Sequence, residues 1–321
     1  MRTLTRFLCA TIALLMMAQA SAQTYPAKSI RIVAASGAGG GVDTISRIVG
    51  QKLSERWNQS VVVENRPGAG GAVGSDVVAK SPADGHTLLT ISISYAVIPS
   101  SHKNLPYDPV RDLVPVTVLV NAPNILVVHP SLPARSIKEL VSFAKARPGE
   151  LYYASSGNGS PAHLATELLK LLSGINLVHV PYKGTSPGMI DVTAGRISMM
   201  FASVISTVSH IKAGKLRVLA TAGTKRAAAM PEVPTIAEAG VPGYAVDVWY
   251  AMLAQAATPR DVLIKLNGEV AAALHLPEIK DRLAGIGLEP VGGSLEQSAA
   301  YIQSEVAKWA KVVKAANIAA N

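Results

Sequence analysis

Short runs rich in β-branched residues alternate with segments of helical periodicity along most of this chain, and this alternation constrains the fold most. Such runs begin at Ile30, Val61, Thr87, Ile125, Leu151, Leu177, Ile197 and Leu216. Strands that alternate with helices form parallel sheets, because each helix carries the chain back to the starting edge. The sequence therefore predicts an α/β protein. Two stretches, Val116–Asn121 and Val248–Leu253, are predicted to be extended segments between lobes.

Hydroxyl side chains mark the predicted starts of three helices. Ser136 is followed by Glu139, and Ser294 by Gln297, in the spacing of a capping box. Ser160 stands before Pro161, which suits the first helical position because its missing N–H needs no partner there. We therefore expect helices after each of these serines.

Two glycine-rich turns are the strongest candidates for a binding function. The first, SGAGGG at 36–41, joins the strand at Ile30 to a helix, and the second, SSGNGS at 155–160, joins the strand at Leu151 to another. Glycines at such turns let backbone amides point at an anion, and the helix dipole adds positive charge. Turn geometry alone also explains glycines. Two such turns could grip one carboxylate from opposite sides.

Neither glycine cluster matches a nucleotide-binding motif. The dinucleotide fingerprint would need glycine where Val42 stands, and the second cluster, GAGG at 68–71, fails the same test at Val73. No Gly-Lys-Ser/Thr follows either cluster, which excludes a Walker loop. The sequence thus predicts no cofactor.

Catalytic motifs are nearly absent. No histidine pair has the H-E-x-x-H spacing, and we predict no metal site. The segment GTSPG at 184–188 has the Gly-x-Ser-x-Gly form, but Pro187 has no N–H for an oxyanion hole. We interpret this segment as a turn. A dispersed triad that uses Ser160 and His163 remains an alternative.

The N-terminus predicts export. Arg2 and Arg6 precede an apolar run from Phe7 to Met17, and the small residues Ala20, Ser21 and Ala22 follow this run. We predict a signal peptide at 1–22, because the run is too short to cross a membrane.

Cysteine and charge usage exclude several further classes. The single cysteine, Cys9, lies in the predicted signal, so disulfides and thiolate chemistry are excluded from the mature chain. The net charge is +9, but the basic residues are scattered, which argues against nucleic acid and suits a protein that attracts anions.

An ordered series of motifs carries a resemblance to a known family. The motifs are Gly39-Gly40 with Asp43 and Arg47, VENRPGAGG at 63–71, ADG at 83–85, YDP at 107–109, VPYKG at 180–184, PTIAE at 234–238, Gly240 and Trp249. The series resembles the Bug (TctC) family, the substrate-binding proteins of tripartite tricarboxylate transporters, across essentially all of the mature chain.

The resemblance implies a periplasmic-binding-protein fold of type II, with two α/β lobes and a ligand cleft between them. Lobe I would take 23–122 plus 249–321, and lobe II would take 123–248. It further implies a monomer in the periplasm that captures a di-, tri- or aromatic carboxylate for the membrane components of a transporter, without catalysis. A ligand sensor for a signalling receptor and, less favoured, an exported hydrolase are the alternatives.

The resemblance also implies that loops 36–43 and 155–163 hold the ligand carboxylate. The candidate ligand-binding residues are Ser36, Gly37, Ala38, Gly39, Gly40, Asp43, Ser92, Ser94, Tyr95, Ser156, Asn158, Gly159, Ser160, His163, Tyr182, Gly184, Thr185, Ser203 and Trp249. Val42 stands where the family usually has serine or threonine, so the ligand preference of relatives does not transfer directly.

Overall fold

Two separate β-sheets with helices packed against them form the protein in the computed structural model, which describes residues 25–102, 104–316 and 318. The predicted signal peptide lies outside the described residues. The strands are β1 (Ile30–Ala34), β2 (Val61–Asn65), β3 (Thr87–Ser92), β4 (Leu113–Asn121), β5 (Asn124–Val128), β6 (Tyr152–Ser155), β7 (Val178–Pro181), β8 (Met199–Ser203), β9 (Arg217–Thr221), β10 (Trp249–Gln255) and β11 (Glu289–Gly292).

Helices connect most of these strands. They are α1 (Gly41–Trp57), α2 (Ala72–Ala79), α3 (Ile98–Ser101), α4 (Ile137–Ala146), α5 (Pro161–Ser173), α6 (Thr185–Thr193), α7 (Val204–Lys212), α8 (Arg260–Leu274), α9 (Pro277–Gly285) and α10 (Leu295–Ala316), with short 3₁₀ turns at Ala69–Gly71 and Ile93–Val97. Among the described residues, no helix combines the length and the apolar character of a membrane span.

The first sheet has the order β11-β4-β10-β3-β1-β2, and the second has the order β7-β6-β8-β5-β9. The predicted parallel pairing is correct for β1 with β2 and β3, and for β6 with β7 and β8. It is wrong for β5, which pairs antiparallel with β8 and β9, and the antiparallel pairing of β10 and β11 was not predicted. Both sheets are therefore mixed.

The chain path explains why β5 and β10 run antiparallel to their neighbours. The chain leaves the first sheet at the end of β4, crosses through Ala122 and Pro123, and enters the second sheet at the start of β5. It returns through Val248 into β10. A strand that follows a crossing begins at the sheet edge where the parallel strands of that sheet end. It therefore runs in the opposite direction to them. The amide of Ala122 donates to the carbonyl of Val248 at 2.6 Å and ties the two crossing segments together.

The sequence located these elements with small errors. Each predicted strand is present, with its start displaced by at most a few residues, and the two extended stretches are β4 and β10. These two are paired strands of the first sheet rather than free connectors, so only their ends lead between the sheets. Strand β11 was not predicted.

The caps explain where the helices begin. The Ser136 hydroxyl accepts from the amide of Glu139, and the Ser294 hydroxyl accepts from the amide of Gln297, as the capping boxes predict. The cores of the two sheets are apolar on both faces; Ile30, Ile32 and Val33 of β1, for example, are fully buried. A strand buried on both faces has a nearly continuous apolar sequence, and this pattern made these strands recognisable from the sequence.

Candidate functional site

A cavity of about 540 Å³ lies between the facing edges of the two sheets. The carboxyl ends of β1 and β3 and the start of β10 meet at one edge, and the carboxyl ends of β6, β7 and β8 meet the start of β5 at the other. The carboxyl ends of strands are the usual ligand edge of α/β sheets. The cavity has the size of a pocket for a small molecule.

The wall on the first-sheet side is built from the first glycine turn. Its lining residues are Ser36, Gly39, Gly40, Gly41, Val42, Thr44, Ser92 and Tyr250. The N-cap of α1 is Gly40, which has no side chain to cap the first helical amides. The first three amides of a helix have no acceptor within the helix. The start of α1 therefore presents free N–H groups beside the cavity.

Asp43 holds this first loop in shape. Its carboxylate accepts from the amide of Gly39 at 2.8 Å and from the Asn65 carboxamide at 2.9 Å, and it pairs with Arg47 at 2.9 Å. Burial by itself would raise the pKa of Asp43, but these hydrogen bonds and the Arg47 charge outweigh it and hold the pKa below its ordinary value. Asp43 thus orders the loop rather than lining the cavity.

Tyr250 packs directly against the start of α1. A Cβ atom at Gly41 would lie 2.8 Å from Cζ of Tyr250 and would overlap its hydroxyl, so only glycine fits there. Tyr250 pairs with Ser92 across β10 and β3, and both side chains line the cavity. Among the described residues, the Tyr250 hydroxyl has no hydrogen-bond partner, and burial raises its pKa to about 12. Tyr250 is a neutral donor that faces the cavity.

Three helix starts and one strand start form the wall on the second-sheet side. Its lining residues are Asn124, Ser156, Pro161, Ala162, Thr185, Phe201, Ala202, Ser203, Ile205 and Ser206. Helices α5, α6 and α7 begin at this wall, and neither α6 nor α7 has a side-chain cap. Ala122, Val248, Ile286 and Leu288 complete the lining near the crossing segments.

Hydrogen bonds within the loop and to the start of α5 stabilise the second glycine turn. The amide of Gly157 donates to the Ser155 hydroxyl at 3.1 Å, and the amide of Gly159 donates to Nδ1 of His163 at 3.0 Å. The Ser160 hydroxyl accepts from the amide of His163. These glycine amides are therefore engaged within the loop, and Ser156 and the start of α5 are the parts that reach the cavity.

Two stacked histidines support this loop. The His163 and His179 rings lie 4.1 Å apart between centroids and are nearly parallel, and the Tyr153 ring, also nearly parallel, lies 4.8 Å from His179 and 6.4 Å from His163. Nε2 of His179 lies 2.6 Å from the Ser155 hydroxyl. Burial lowers the pKa of both rings, and the neighbouring His163 helps to lower that of His179 to about 4. Both rings are neutral near pH 7, which allows His163 to accept from Gly159.

The Ser155–His179 pair is a formal nucleophile and base. Ser155 is fully buried and does not line the cavity, so a substrate there has no access to its hydroxyl. The Ser160 hydroxyl bonds the backbone of His163 rather than its ring. Among the described residues, no three His, Cys, Asp or Glu side chains cluster as a metal site would require.

The structure divides the predicted site residues into three groups. Ser36, Gly39, Gly40, Ser92, Ser156, Thr185 and Ser203 line the cavity. Ser94, Asn158 and Gly159 line a smaller neighbouring cavity of about 190 Å³. Gly37, Ala38, Asp43, Tyr95, Ser160, His163, Tyr182, Gly184 and Trp249 line neither of these two cavities.

Three of the outlying residues are aromatic and have partners elsewhere. The Tyr95 hydroxyl donates to the carbonyl of Pro109, and the Tyr182 hydroxyl donates to Asp191 at 2.5 Å. The indole of Trp249 is fully buried and donates to Glu305 at 3.1 Å. In this conformation these residues support the fold rather than the cavity surface.

Sequence reasoning missed Tyr250, Asn124 and Phe201. Successive side chains of a strand point to opposite faces, so Tyr250 faces the cavity because its neighbour Trp249 faces the core. Choosing between the two required the strand pairing. Asn124 had one signal, since it is a polar residue at the start of the otherwise apolar strand β5.

In the part of the chain that the structure describes, no Lys, Arg, His, Asp or Glu side chain lines the cavity. An anion bound there would be balanced by helix N-termini and by neutral donors, which include the side chains of Tyr250, Asn124, Ser92, Ser156 and Thr185. This arrangement favours an anionic ligand that is recognised by hydrogen bonds rather than by ion pairs.

Comparison with known proteins gives a consistent result. Residues 45–318 match the family model described as "Tripartite tricarboxylate transporter family receptor". The protein BugT of Bordetella pertussis is 38% identical over 299 residues, which are 92% of this chain and 92% of BugT.

Two solved structures extend the likeness to the fold. An R. palustris protein solved with adipate is 38% identical, has a TM-score of 0.82, and aligns over 92% of this chain and 99% of its own. MatC from Rhodopseudomonas palustris, solved with malate, is 28% identical, has a TM-score of 0.77, and aligns over 90% of this chain and all of its own. The predicted α/β binding-protein fold is confirmed.

Proposed function

The chain belongs to the tripartite tricarboxylate transporter receptor family, the Bug (TctC) family, and on this premise we propose that it captures a small organic carboxylate in the periplasm. It would then deliver this ligand to the membrane components of such a transporter. The protein acts by binding and release, without catalysis and as a monomer.

One observation carries this proposal. The uncapped start of α1 and the start of α5 lie on opposite walls of the same cavity, and hydroxyl side chains surround both. Helix N-termini bind anions through free amides and through the helix dipole. A carboxylate between the two walls would be bound from both sides, which no single loop achieves.

The relatives support the same ligand class. The two aligned structures were solved with adipate and with malate, both of which are carboxylates. The cavity of this chain differs from a typical cationic anion site, because neutral donors rather than charged side chains line it. Carboxylate binding through such donors needs no arginine.

The mechanism we propose is closure of two lobes around the ligand. Lobe I comprises 23–122 plus 249–321, and lobe II comprises 123–248. Ligand contacts with both lobes favour the closed arrangement, because a ligand shifts a conformational equilibrium by its differential affinity for the two states. The crossing segments at Ala122 and Val248 are the natural hinge.

Transport and sensing would both use closure of the two lobes around the ligand, so the test must separate these two roles. In a strain that lacks the gene, uptake of the radiolabelled ligand and ligand-induced transcription are measured separately, before and after complementation. The proposal predicts that uptake is lost and that complementation restores it. Loss of transcriptional induction with normal uptake would overturn the transport role and assign a sensor.

Complementation with Gly40→Val gives the matching structural test. Gly40 lines the cavity, and a Cβ there would lie 3.3 Å from the Gly37 carbonyl oxygen and 3.6 Å from the Ser36 hydroxyl, so a valine would crowd the first loop. We expect Gly40→Val to restore no uptake although the folded protein is exported. Normal uptake with this variant would contradict the role of the first loop.

A further inference from the structure

An open groove of about 460 Å³ crosses the boundary between the two lobes, outside the ligand cavity. One wall belongs to lobe II and consists of Pro123, Val204, Ala227, Ala228 and Ala229. The facing wall belongs to lobe I and consists of Lys280, Asp281, Ala284, Gly287, Leu288, Glu289 and Pro290. The loop after β9 thus faces helix α9 and the start of β11 across this interlobe groove. Since each wall belongs to a different lobe, the width of the groove depends on the angle between the lobes.

The interlobe groove shares a wall with the ligand cavity. The side chain of Leu288 is 7% exposed and lines both. Beside it, a Cβ atom at Gly287 would lie 3.5 Å from Cβ of Ile205, which lines the ligand cavity. A single layer of residues therefore separates the groove from the ligand, so a change in lobe angle caused by the ligand also reaches the groove.

Backbone groups set the shape of the groove in this arrangement of the lobes. The amide of Ala228 in lobe II donates to the Glu289 carboxylate in lobe I at 3.5 Å. Within lobe II, the amide of Val204 donates to the carbonyl of Pro123 at 3.4 Å. Rotation of one lobe against the other would break the Ala228–Glu289 bond and displace one wall from the other. The groove of this shape thus belongs to one lobe arrangement.

The floor of the interlobe groove is apolar. Val204, Ala227 and Leu288 are buried beneath it, and the small side chains of Ala228 and Ala229 are exposed in it. Small side chains leave room for a larger apolar side chain of an occupant. Apolar surface of this kind, bordered by polar residues, is typical of a protein contact.

The rim of the groove carries more acid than base. Asp281 and Glu289 supply two carboxylates and Lys280 supplies one ammonium group. In the described part of the chain, neither Asp281 nor Glu289 forms an ion pair, whereas Glu278 on the same helix pairs with Lys52 at 3.1 Å. This local excess of negative charge stands out on a chain whose net charge is +9. It complements a basic side chain.

We propose that the interlobe groove receives a segment of the transporter's membrane component, which places an apolar side chain against the alanine floor and a lysine or arginine beside Asp281 and Glu289. This inference rests on the proposed function and deepens it, since it names the surface that the membrane component recognises. The segment binds one lobe arrangement more tightly than the other, because both lobes form its site. The transporter thereby distinguishes the loaded protein from the empty one.

The experiment separates ligand binding from transport. A strain that lacks the gene is complemented with Ala229→Trp, which fills the groove, or with Asp281→Lys, which reverses the charge of its rim. Uptake is measured with the radiolabelled carboxylate that the wild type binds most tightly, at equal amounts of exported protein. Calorimetry on each purified protein gives the dissociation constant for the same carboxylate.

Two exposed positions provide matched controls. Ala300→Trp adds the same side chain on α10, and Glu150→Lys makes the same charge reversal just before β6, at the sheet edge opposite the ligand cavity. Neither position lines the ligand cavity or the groove.

The proposal predicts that affinity and uptake respond differently. All four variants bind the carboxylate within about 3-fold of the wild type, because none of the substituted residues lines the ligand cavity. Both groove variants lower uptake by about 10-fold or more, and both controls restore it. Selection for renewed uptake in Asp281→Lys yields an acidic substitution of a basic residue in the membrane component, and that substitution does not rescue Ala229→Trp.

Other results overturn the inference and leave the proposed function in place. Normal uptake with both groove variants would show that the membrane component does not contact the groove. A loss of affinity in Ala229→Trp, with normal uptake in Asp281→Lys, would mean that the groove only limits the lobe angle. Suppressors of Asp281→Lys that lie only within this chain would also contradict docking. If the wild type itself restores no uptake, the proposed function fails.

Discussion

The Ser94 hydroxyl donates a hydrogen bond to the carbonyl oxygen of Gly159 across 3.2 Å. Ser94 lies in the 3₁₀ turn that follows β3 of the first sheet, whereas Gly159 lies in the glycine turn that follows β6 of the second sheet. This bond therefore joins the two sides of the cleft directly beside the cavity. An arrangement that closes on a ligand would form it, and an opened one would break it.

Removal of this bond should weaken ligand binding. One neutral hydrogen bond contributes about 0.5–1.5 kcal/mol, so Ser94→Ala should raise the ligand dissociation constant by roughly 2- to 12-fold without lowering the melting temperature of the free protein much. Calorimetry on the carboxylate that binds most tightly measures the change. The control is Ser304→Ala, since the Ser304 hydroxyl donates to the Tyr301 carbonyl within α10. Equal affinity for both variants would show that the bond plays no part in closure.

The contact between Gly41 and Tyr250 should make Gly41 intolerant of any side chain. Gly41→Ala forces the Tyr250 ring away from the first loop, and overpacking of this kind costs about 1–3 kcal/mol. We expect a lower melting temperature and a loss of affinity of 10-fold or more.

Gly268→Ala is the matched control for this substitution. Gly268 lies within α8, and nothing lies within 4 Å of its would-be Cβ. Alanine favours helices over glycine, so Gly268→Ala should stabilise the protein by up to about 1 kcal/mol and leave affinity unchanged. If Gly41→Ala melts and binds like Gly268→Ala, the contact with Tyr250 has no consequence.

The stacked histidines predict that stability falls on mild acidification. Their pKa values are lower in the folded state than in the unfolded state, where histidine titrates near pH 6.5. As the pH falls below 6.5, and for His179 down to its pKa of about 4, the unfolded chain binds protons that the folded protein excludes. The free energy of unfolding then decreases by up to about 1.4 kcal/mol per pH unit for each ring.

Denaturant unfolding between pH 6.5 and pH 5 tests this dependence. The charged groups near the stack are Glu167 and Lys170, which pair at 2.7 Å. His179→Phe keeps an aromatic ring in the stack and removes one titrating group, so it should flatten the pH dependence by about one proton. His275→Phe, at an exposed position, should retain the wild-type slope. An unchanged slope in His179→Phe would refute this account of the stack.

Asp43 should be required for the shape of the first loop. Asp43→Asn removes the negative charge that accepts hydrogen bonds from the Gly39 amide and Asn65 and pairs with Arg47. Loss of a buried charged acceptor lowers the free energy of unfolding by about 1–3 kcal/mol. We expect reduced stability and weaker carboxylate binding, measured by denaturant unfolding and calorimetry. The exposed Asp281→Asn should change neither. Wild-type behaviour of Asp43→Asn would show that the backbone alone fixes the loop.

The sequence predicted the strands and glycine turns well because these depend on local patterns. Apolar runs such as Ile30–Ala34 are buried on both faces, and the glycine turns have few alternatives at a strand-to-helix junction. The direction of β5 and β10 was not predictable from the same patterns. It follows from where the chain crosses between the two sheets, and local periodicity carries no information about these crossings.

Side-chain direction limited the site prediction in the same way. Trp249 and Tyr250 are adjacent aromatic residues, and only the pairing of β10 with β3 determines that Tyr250 faces the cavity. His163 was correctly placed near the second loop, but its ring holds the amide of Gly159 instead of facing the cavity. A residue that supports a loop and a residue that contacts the ligand can therefore look alike in the sequence.

The most direct test of carboxylate binding is a thermal-shift measurement on the chain from Gln23 to Asn321, with organic carboxylates and their neutral carboxamides side by side. A ligand that binds only the folded state raises the melting temperature. We predict that at least one carboxylate class, with adipate and malate among the first tested, raises it and that the matching carboxamide at the same concentration does not. If no carboxylate raises the melting temperature while neutral or cationic solutes do, binding of an anion between the two helix starts is contradicted.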